Sequence, residues 1–347
     1  MGKLFCDSAS VTESLTPQSP PSTTWRDLPP LLPSTVDIPP TSWDDVSGLE
    51  DQQRKNLSRL HAKGVLWTHP NHKSVPPVVF RLTHGGDVAS DGNCLFTAFE
   101  KSARWGLRES NNNGGECSNC GASELRQRTV KRFKQDFESA EKEEKERVEL
   151  VIKNLYSPDL ESGWGIHLVQ EVKLLAKKSD RQILDDAIRQ LTDRGMLRAF
   201  AAESIYKETC VPVDNGWSWA NYMSTSGSPD DEYDIITLQY TADGLLTVDE
   251  NRQGRNAAFG DDIAIECLAN EFKREIFVVQ AHGSDAVVDE ENCVFFLPHR
   301  PRGEITGLPL FLFMKGTGWC GAGADHYEPL IAHPSSVVPQ EKVGFVL

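Results

Sequence analysis

The sequence predicts an α+β protein, mixed in the order of its elements, with a small central sheet packed between helices. Stretches with apolar residues at helical spacing fill the middle of the chain, as at Leu125, Val130, Phe133 and Phe137. Short apolar, strand-like runs gather toward its C-terminal end, as at Ile276 to Gln280 and Leu310 to Met314. The 347 residues are 39% hydrophobic and 25% charged, enough for a sizeable core in one large domain or two modest ones.

Residues 1–45 read as a disordered arm, because Ser, Thr and Pro dominate and no apolar period is sustained; ordering such a stretch costs more than its burial returns. Trp25, Leu31, Leu32 and Trp43 within it are short docking motifs or pack back on the domain, and the sequence leaves both open. Residues 46–77 form a lead-in in which Leu57, Leu60, Val65 and Leu66 allow a helix or turn, and Val78 to Phe80 start a strand. The turn formers of 83–93 make a loop, and Cys94 to Ala103 has the spacing of a buried helix, so Cys94 falls at a helix N-terminus.

Helical patterns follow over 123–155 and 179–208, the first with a solvated charge run from Glu141 to Arg147. Ile183, Leu184, Ile188, Leu191, Leu197, Phe200 and Ile205 are read as core, as is the aromatic patch Trp217, Trp219, Tyr222 and Met223. The alternating run Ile235 to Tyr240 sits among Ser, Gly, Asp and Asn clusters and reads as a loop or hairpin. Asp262 to Phe272 is helix-like, and Glu275 to Gln280, Cys293 to Leu297 and Leu310 to Met314 are strand-like. A glycine-rich stretch, Lys315 to Ala324, then leads into Asp325-His326-Tyr-Glu-Pro-Leu330.

Lys plus Arg number 36 against 51 Asp plus Glu, a formal charge of -15 that repels nucleic acid. No apolar run reaches the roughly eighteen residues of a membrane span, and the N-terminus lacks a secretory h-region. The expectation is a cytoplasmic or nuclear protein in which most of the eight cysteines, spread along the chain, are reduced thiols. Met1-Gly2 resembles a myristoylation start, but Cys6 stands where that motif needs Ser or Thr.

A thiol attacks only as the thiolate, and a helix N-terminus favours the anion through exposed amides and the positive end of its dipole. Cys94 has that setting behind the turn Asp91-Gly92-Asn93, whose amides can join that of Cys94 in an oxyanion hole. No histidine lies on the same helix, so a base must come from elsewhere. His326 is the best placed, where a loop enters a strand; it would take the thiol proton and pass it to the leaving amine. Glu328, on the same side of an extended chain, or Asp325 would orient the ring. Against this stands the ordinary behaviour of a lone cysteine, an inert buried side chain, and the availability of nine histidines. His69, His72, His84, His282, His299 and His333 are read as surface imidazoles, and Cys117-Ser-Asn-Cys120 as a flexible loop with two free thiols, since no second Cys/His pair follows at zinc-finger spacing.

Asp91-Gly-Asn-Cys-Leu-Phe-Thr-Ala-Phe99 resembles the catalytic block of the ovarian tumour (OTU) family of deubiquitinating cysteine proteases, and His326-Tyr-Glu-Pro-Leu330 resembles its terminal histidine block. Glu124-Leu-Arg-Gln-Arg-Thr-Val130 is similar to the helix after the nucleophile helix. Asp262 to Phe272 with Ile276-Phe-Val-Val279 is similar to the helix and strand before the histidine. The four blocks occur in the family's order across 78–332. The resemblance implies a papain-like OTU fold and a catalytic domain over 78–335. It also implies hydrolysis of the (iso)peptide bond after the C-terminal glycine of ubiquitin, ubiquitin or polyubiquitin chains as partners, and no metal or cofactor. It carries the nucleophile to Cys94, the general base to His326 and the oxyanion-supporting acid to Asp91, in the loop of Gly92 and Asn93. The substrate tail would pass Asp91 and Gly318 to Ala324.

Three departures qualify it. Glu328 stands where the family has Asn or Asp, Phe259-Gly260-Asp261 replaces Trp-Gly-Gly, and the spacing from Cys94 to His326, 326 minus 94 or 232 residues, exceeds the family core. The excess is assigned to a helical insertion at 141–215 and a loop or hairpin insertion at 224–259, with 336–347 as a tail. The alternatives are a ubiquitin-binding scaffold without turnover and a protease for another ubiquitin-like modifier.

Overall fold

The computed structural model describes residues 43–72, 75–108, 120–157, 170–241, 244–284, 293–316, 326–335 and 345–347. Its elements in chain order are a 3-10 turn (Trp43–Asp45), α1 (Asp51–Lys63), β1 (Val65–Trp67), β2 (Val78–His84), α2 (Cys94–Arg108), α3 (Ala122–Ser139) and α4 (Lys142–Tyr156). There follow β3 (Gln170–Lys177), a second 3-10 turn (Lys178–Asp180), α5 (Arg181–Asp193), α6 (Arg198–Thr209), β4 (Val211–Pro212) and α7 (Gly216–Ser224). The last are β5 (Tyr233–Thr241), β6 (Gly244–Glu250), α8 (Asp262–Phe272), β7 (Ile276–Ala281), β8 (Val294–His299), β9 (Leu310–Lys315), β10 (His326–Ser335) and β11 (Phe345–Val346). The fold is mixed α+β.

The chain divides into two compact units: Met1–Val88, Ala98–Asn119 and Lys273–Leu347 form the first, Ala89–Thr97 and Cys120–Phe272 the second. In the first unit the sheet runs β11-β1-β2-β10-β9-β7-β8. The pairs β1–β11 and β7–β9 are parallel and the rest antiparallel. Strand β7 is buried at all six positions, which is why its sequence is apolar throughout instead of alternating. In β2, Phe80, Leu82 and His84 share one face at the period of two and all are buried. Trp43, Leu57, Leu60, Val65 and Trp67 join the core with Phe277, Phe311 and Phe313.

The lead-in is thus part of this core, and the ordered chain includes Trp43, which is 4% exposed and packs against His84 and Phe313. Residues 1–42 of the expected arm lie outside the described residues, as does most of the tail, but Phe345 and Val346 pair with Val65 and Leu66 in the sheet.

The second unit carries a sheet of its own, β4-β3-β5-β6, all antiparallel. This corrects the reading of 141–215 as purely helical: β3 pairs along its whole length with β5, and the expected hairpin β5–β6 completes the sheet. The alternation Val172, Leu174, Ala176 against Glu171 and Lys173 is the strand period that helical spacing on either side masked. The long helix expected over 123–155 is two helices, broken at Ala140, whose φ of -67° and ψ of 148° are extended. Leu184, Ile188, Ala201, Ala202 and Tyr206 of α5 and α6 pack on Leu174, Ile236 and Leu238. That leaves Ile183, Leu197 and Phe200, read as core, exposed on the other face at 70%, 69% and 49%. No helix among the described residues is long and apolar enough to cross a membrane.

Candidate active site

Cys94 is the first residue of α2, a fifteen-residue helix that begins where the Asn93 carbonyl accepts from the amide of Thr97. The preceding loop is tightly specified. The amide of Asn93 donates to Oδ1 of exposed Asp91 at 2.9 Å, an Asx turn. Gly92 has a φ of 84°, and a Cβ there would lie 2.7 Å from the Ala257 carbonyl, so no other residue fits. Gly260 plays a like part, because a Cβ on it would meet the Leu95 side chain at 2.2 Å. The Cys94 side chain is buried, at 2% exposure, and a cavity of about 400 Å³ is lined by its loop and helix neighbours Asp91, Asn93 and Thr97 with Ser123, Ser226 and Ser228 among others.

Under this loop lies Arg126, on α3 and 1% exposed. Its Nε and Nη2 donate to Asn93 Oδ1 at 3.0 and 2.8 Å, Nη2 also to the carbonyls of Gly92 at 2.9 Å and Ala258 at 2.8 Å, and Nη1 to that of Met223 at 3.0 Å. The guanidinium carbon stands 4.5 Å from the centre of the Phe96 ring. Burial pulls this group down to about 10 from 12.5, against the opposing influence of Tyr222, Asp231, Asp91 and Cys94, so it remains a cation at neutral pH. In the sequence this arginine stands out only as part of the block Glu124 to Val130. The available signal was its place at the head of the stripe Arg126, Val130, Phe133, Phe137, where a charge on a buried face needs a reason.

Asp261, just before α8, is a second, half-buried polar brace. Its Oδ1 accepts the Ala264 amide at 2.8 Å, and its Oδ2 accepts Trp219 Nε1 at 2.8 Å and the hydroxyl of Tyr156. Burial raises its carboxyl and these bonds lower it, with a net rise, while burial beside Asp261 pushes the Tyr156 hydroxyl well up.

His326 opens β10, paired with Lys315 of β9. Its Nε2 lies 3.1 Å from the Val88 carbonyl. A carbonyl only accepts, so Nε2 carries the hydrogen, and in the neutral ring Nδ1 holds the basic lone pair. Among the described residues none hydrogen-bonds Nδ1. Glu328, 1% exposed, sits with Oε1 3.7 Å from His326 Nε2, which is beyond hydrogen-bond range. It is bound more closely by His84 Nε2 at 2.7 Å and Lys315 Nζ at 3.1 Å. Burial raises the Glu328 carboxyl, but these hydrogen bonds and the charges behind them outweigh it and hold the group below its ordinary 4.5. The Gly86 amide donates to His84 Nδ1 at 3.3 Å.

Comparisons with protein-family models, with curated proteins and with solved structures find no match for this chain.

His84, Asp87 and Glu328 place ligand-type atoms within 4.8 Å of one another. The set does not suit a metal ion: the His84 nitrogen facing Glu328 is a donor, and both Glu328 oxygens already accept. His84 is therefore not the surface imidazole expected, and His69, His282 and His299 are also buried, at 4%, 7% and 8% exposure. Pro and Gly neighbours mark a chain turn without saying whether the turn is covered. Cys120 likewise differs from a flexible-loop thiol. It is buried next to α3, donates to Glu124 Oε1 at 3.3 Å, and burial raises its thiol. Cys117, Asp325 and Gly318 to Ala324 lie outside the described residues. Asp91, Gly92 and Asn93 share one loop with Cys94 in the second unit, while His326 and Glu328 belong to the first.

Proposed function

We propose that this chain is a thiol-dependent deubiquitinase of the OTU type, with Cys94 as nucleophile and His326 as general base. The observation that carries the reading is the pair of half-sites. A cysteine opens a helix behind a loop that only glycine can make, and a histidine is held through Nε2 so that Nδ1 is its basic nitrogen. The reaction requires the Cys94 sulfur and His326 Nδ1 to meet. His326 then takes the thiol proton, the thiolate adds to the carbonyl after the substrate's C-terminal glycine, and helix and loop amides receive the oxyanion. The imidazolium gives its proton to the leaving amine, water cleaves the thioester by the same route in reverse, and Glu328 supports the imidazolium from 3.7 Å. Asp91 supports the oxyanion loop through its bond to the Asn93 amide.

A ubiquitin probe bearing a C-terminal electrophile, followed by mass-spectrometric mapping, tests the proposal: labelling at Cys94, lost in Cys94→Ser, is expected. No labelling by ubiquitin or by a panel of ubiquitin-like probes would refute it, and labelling by one other modifier alone would redirect the substrate. A second reading, a ubiquitin-binding scaffold without turnover, draws on Glu328 being bound more closely to His84 and Lys315 than to His326. Binding without hydrolysis, with cleavage gained in Glu328→Asn, would favour it.

A further inference from the structure

Arg126 has no part in the mechanism above, yet its guanidinium donates three hydrogen bonds to Gly92 and Asn93 of the nucleophile loop. We infer that Arg126 is a positioning residue for Cys94: its buried cation fixes the Gly92–Asn93 backbone and supplies the standing positive charge that favours the thiolate. The inference rests on the reading of Cys94 as nucleophile.

The bonding is unlike that of a structural ion pair. Every acceptor is neutral: three backbone carbonyls, from the loop before α2, the end of α7 and the segment before α8, the side-chain oxygen of Asn93, and the Met223 sulfur at 3.8 Å. No carboxylate among the described residues pairs with it. A fold needing only a brace gains nothing from a buried charge, since well-packed neutral groups of similar volume do as well or better. A standing cation is worth its desolvation where an anion forms transiently, and the anion formed here is the Cys94 thiolate, then the oxyanion beside the same loop. Tyr222, Asp231, Asp91 and Cys94 are the titratable groups whose charges act on the guanidinium. Asp91 is exposed and so screened by water, which leaves the buried thiol as the less screened of these two. The fork also commits the Asn93 oxygen to Arg126, although Asn93 occupies the position from which an asparagine commonly caps the first-turn amides.

The test is the pH profile of Cys94 alkylation by iodoacetamide, mapped by mass spectrometry on the full chain, for wild type, Arg126→Gln and Arg126→Lys. Turnover of a ubiquitin C-terminal amide is measured alongside. Wild-type Cys94 is expected to titrate below the free-thiol value of about 8.5. Arg126→Gln should raise that midpoint by about one unit, a roughly tenfold loss of thiolate below both midpoints. Arg126→Lys should keep the midpoint within a few tenths of a unit while turnover falls about tenfold, because an ammonium keeps the charge but not the fork. A folded Arg126→Gln protein with the wild-type profile overturns the inference and leaves the function standing. Should that variant not fold, Arg126→Lys decides, and a profile at the free-thiol value counts against the role. A wild-type profile at the free-thiol value removes the nucleophile reading itself and this inference with it.

Discussion

In the loop before Cys94 a buried cation, Arg126, is ringed by neutral acceptors, whereas beside His326 a buried anion, Glu328, is shared among Lys315, His84 and, at longer range, His326 itself. The signs match the charges the proposed reaction creates, a negative one on sulfur and oxygen, a positive one on the imidazole. The strength of the hold differs too. Arg126 contacts the loop backbone directly, while Glu328 stands off the histidine, whose ring is fixed by the Val88 carbonyl. Electrostatic support is therefore direct at the proposed nucleophile and indirect at the proposed base, and substitutions rank accordingly.

The largest effect is expected from Cys94→Ala, which should lower hydrolysis of ubiquitin conjugates by at least about 10⁴-fold while the far-ultraviolet spectrum and melting curve stay near wild type. Activity surviving that change would break the comparison at its root. His326→Gln should cost about 10³-fold in turnover, the size of a general base, without abolishing alkylation of Cys94. An unaffected rate would mean that another group accepts the proton.

Gly92→Ala sharpens the loop side. The new Cβ would stand 2.7 Å from the Ala257 carbonyl at a φ of 84°, so a loss of about 1–3 kcal/mol in chemical denaturation is expected. Glu328→Gln sharpens the histidine side. The folded carboxyl lies below its ordinary 4.5, so the stability it contributes is present above that value and fades as pH falls through the lower, folded one. The variant should therefore lose less stability than wild type in an acid titration below about pH 4.5, and its turnover at neutral pH should fall about tenfold. Equal acid sensitivity would mean that Glu328 carries no such linkage. Asp91→Ala removes an exposed carboxylate that accepts the Asn93 amide, and only a few-fold loss in kcat is expected, since Gly92 and Arg126 still shape the loop.

Local signals in the sequence foretold the start of α2 at Cys94, the span of α8, the buried strand β7, and the strand beginning at His326, because each depends on neighbours within a few residues: turn formers, a period of 3.6 and unbroken apolar runs. The turn at Asp91-Gly92-Asn93 was legible for the same reason. What decided the rest was contact between segments far apart in the chain. Strand β3 exists because β5, some sixty residues later, completes its hydrogen bonds. Trp43, at the end of a Pro-rich stretch, is buried because His84 and Phe313 cover it. Arg126 and His84 became buried polar groups only once the Gly92 carbonyl and the Glu328 carboxylate were there to receive them. Sequence by itself determined where Cys94 and His326 stand in their own elements. Tertiary structure alone decided which charges lie beneath them, since burial and pairing of a charge are properties of the packed chain and not of any short run of residues.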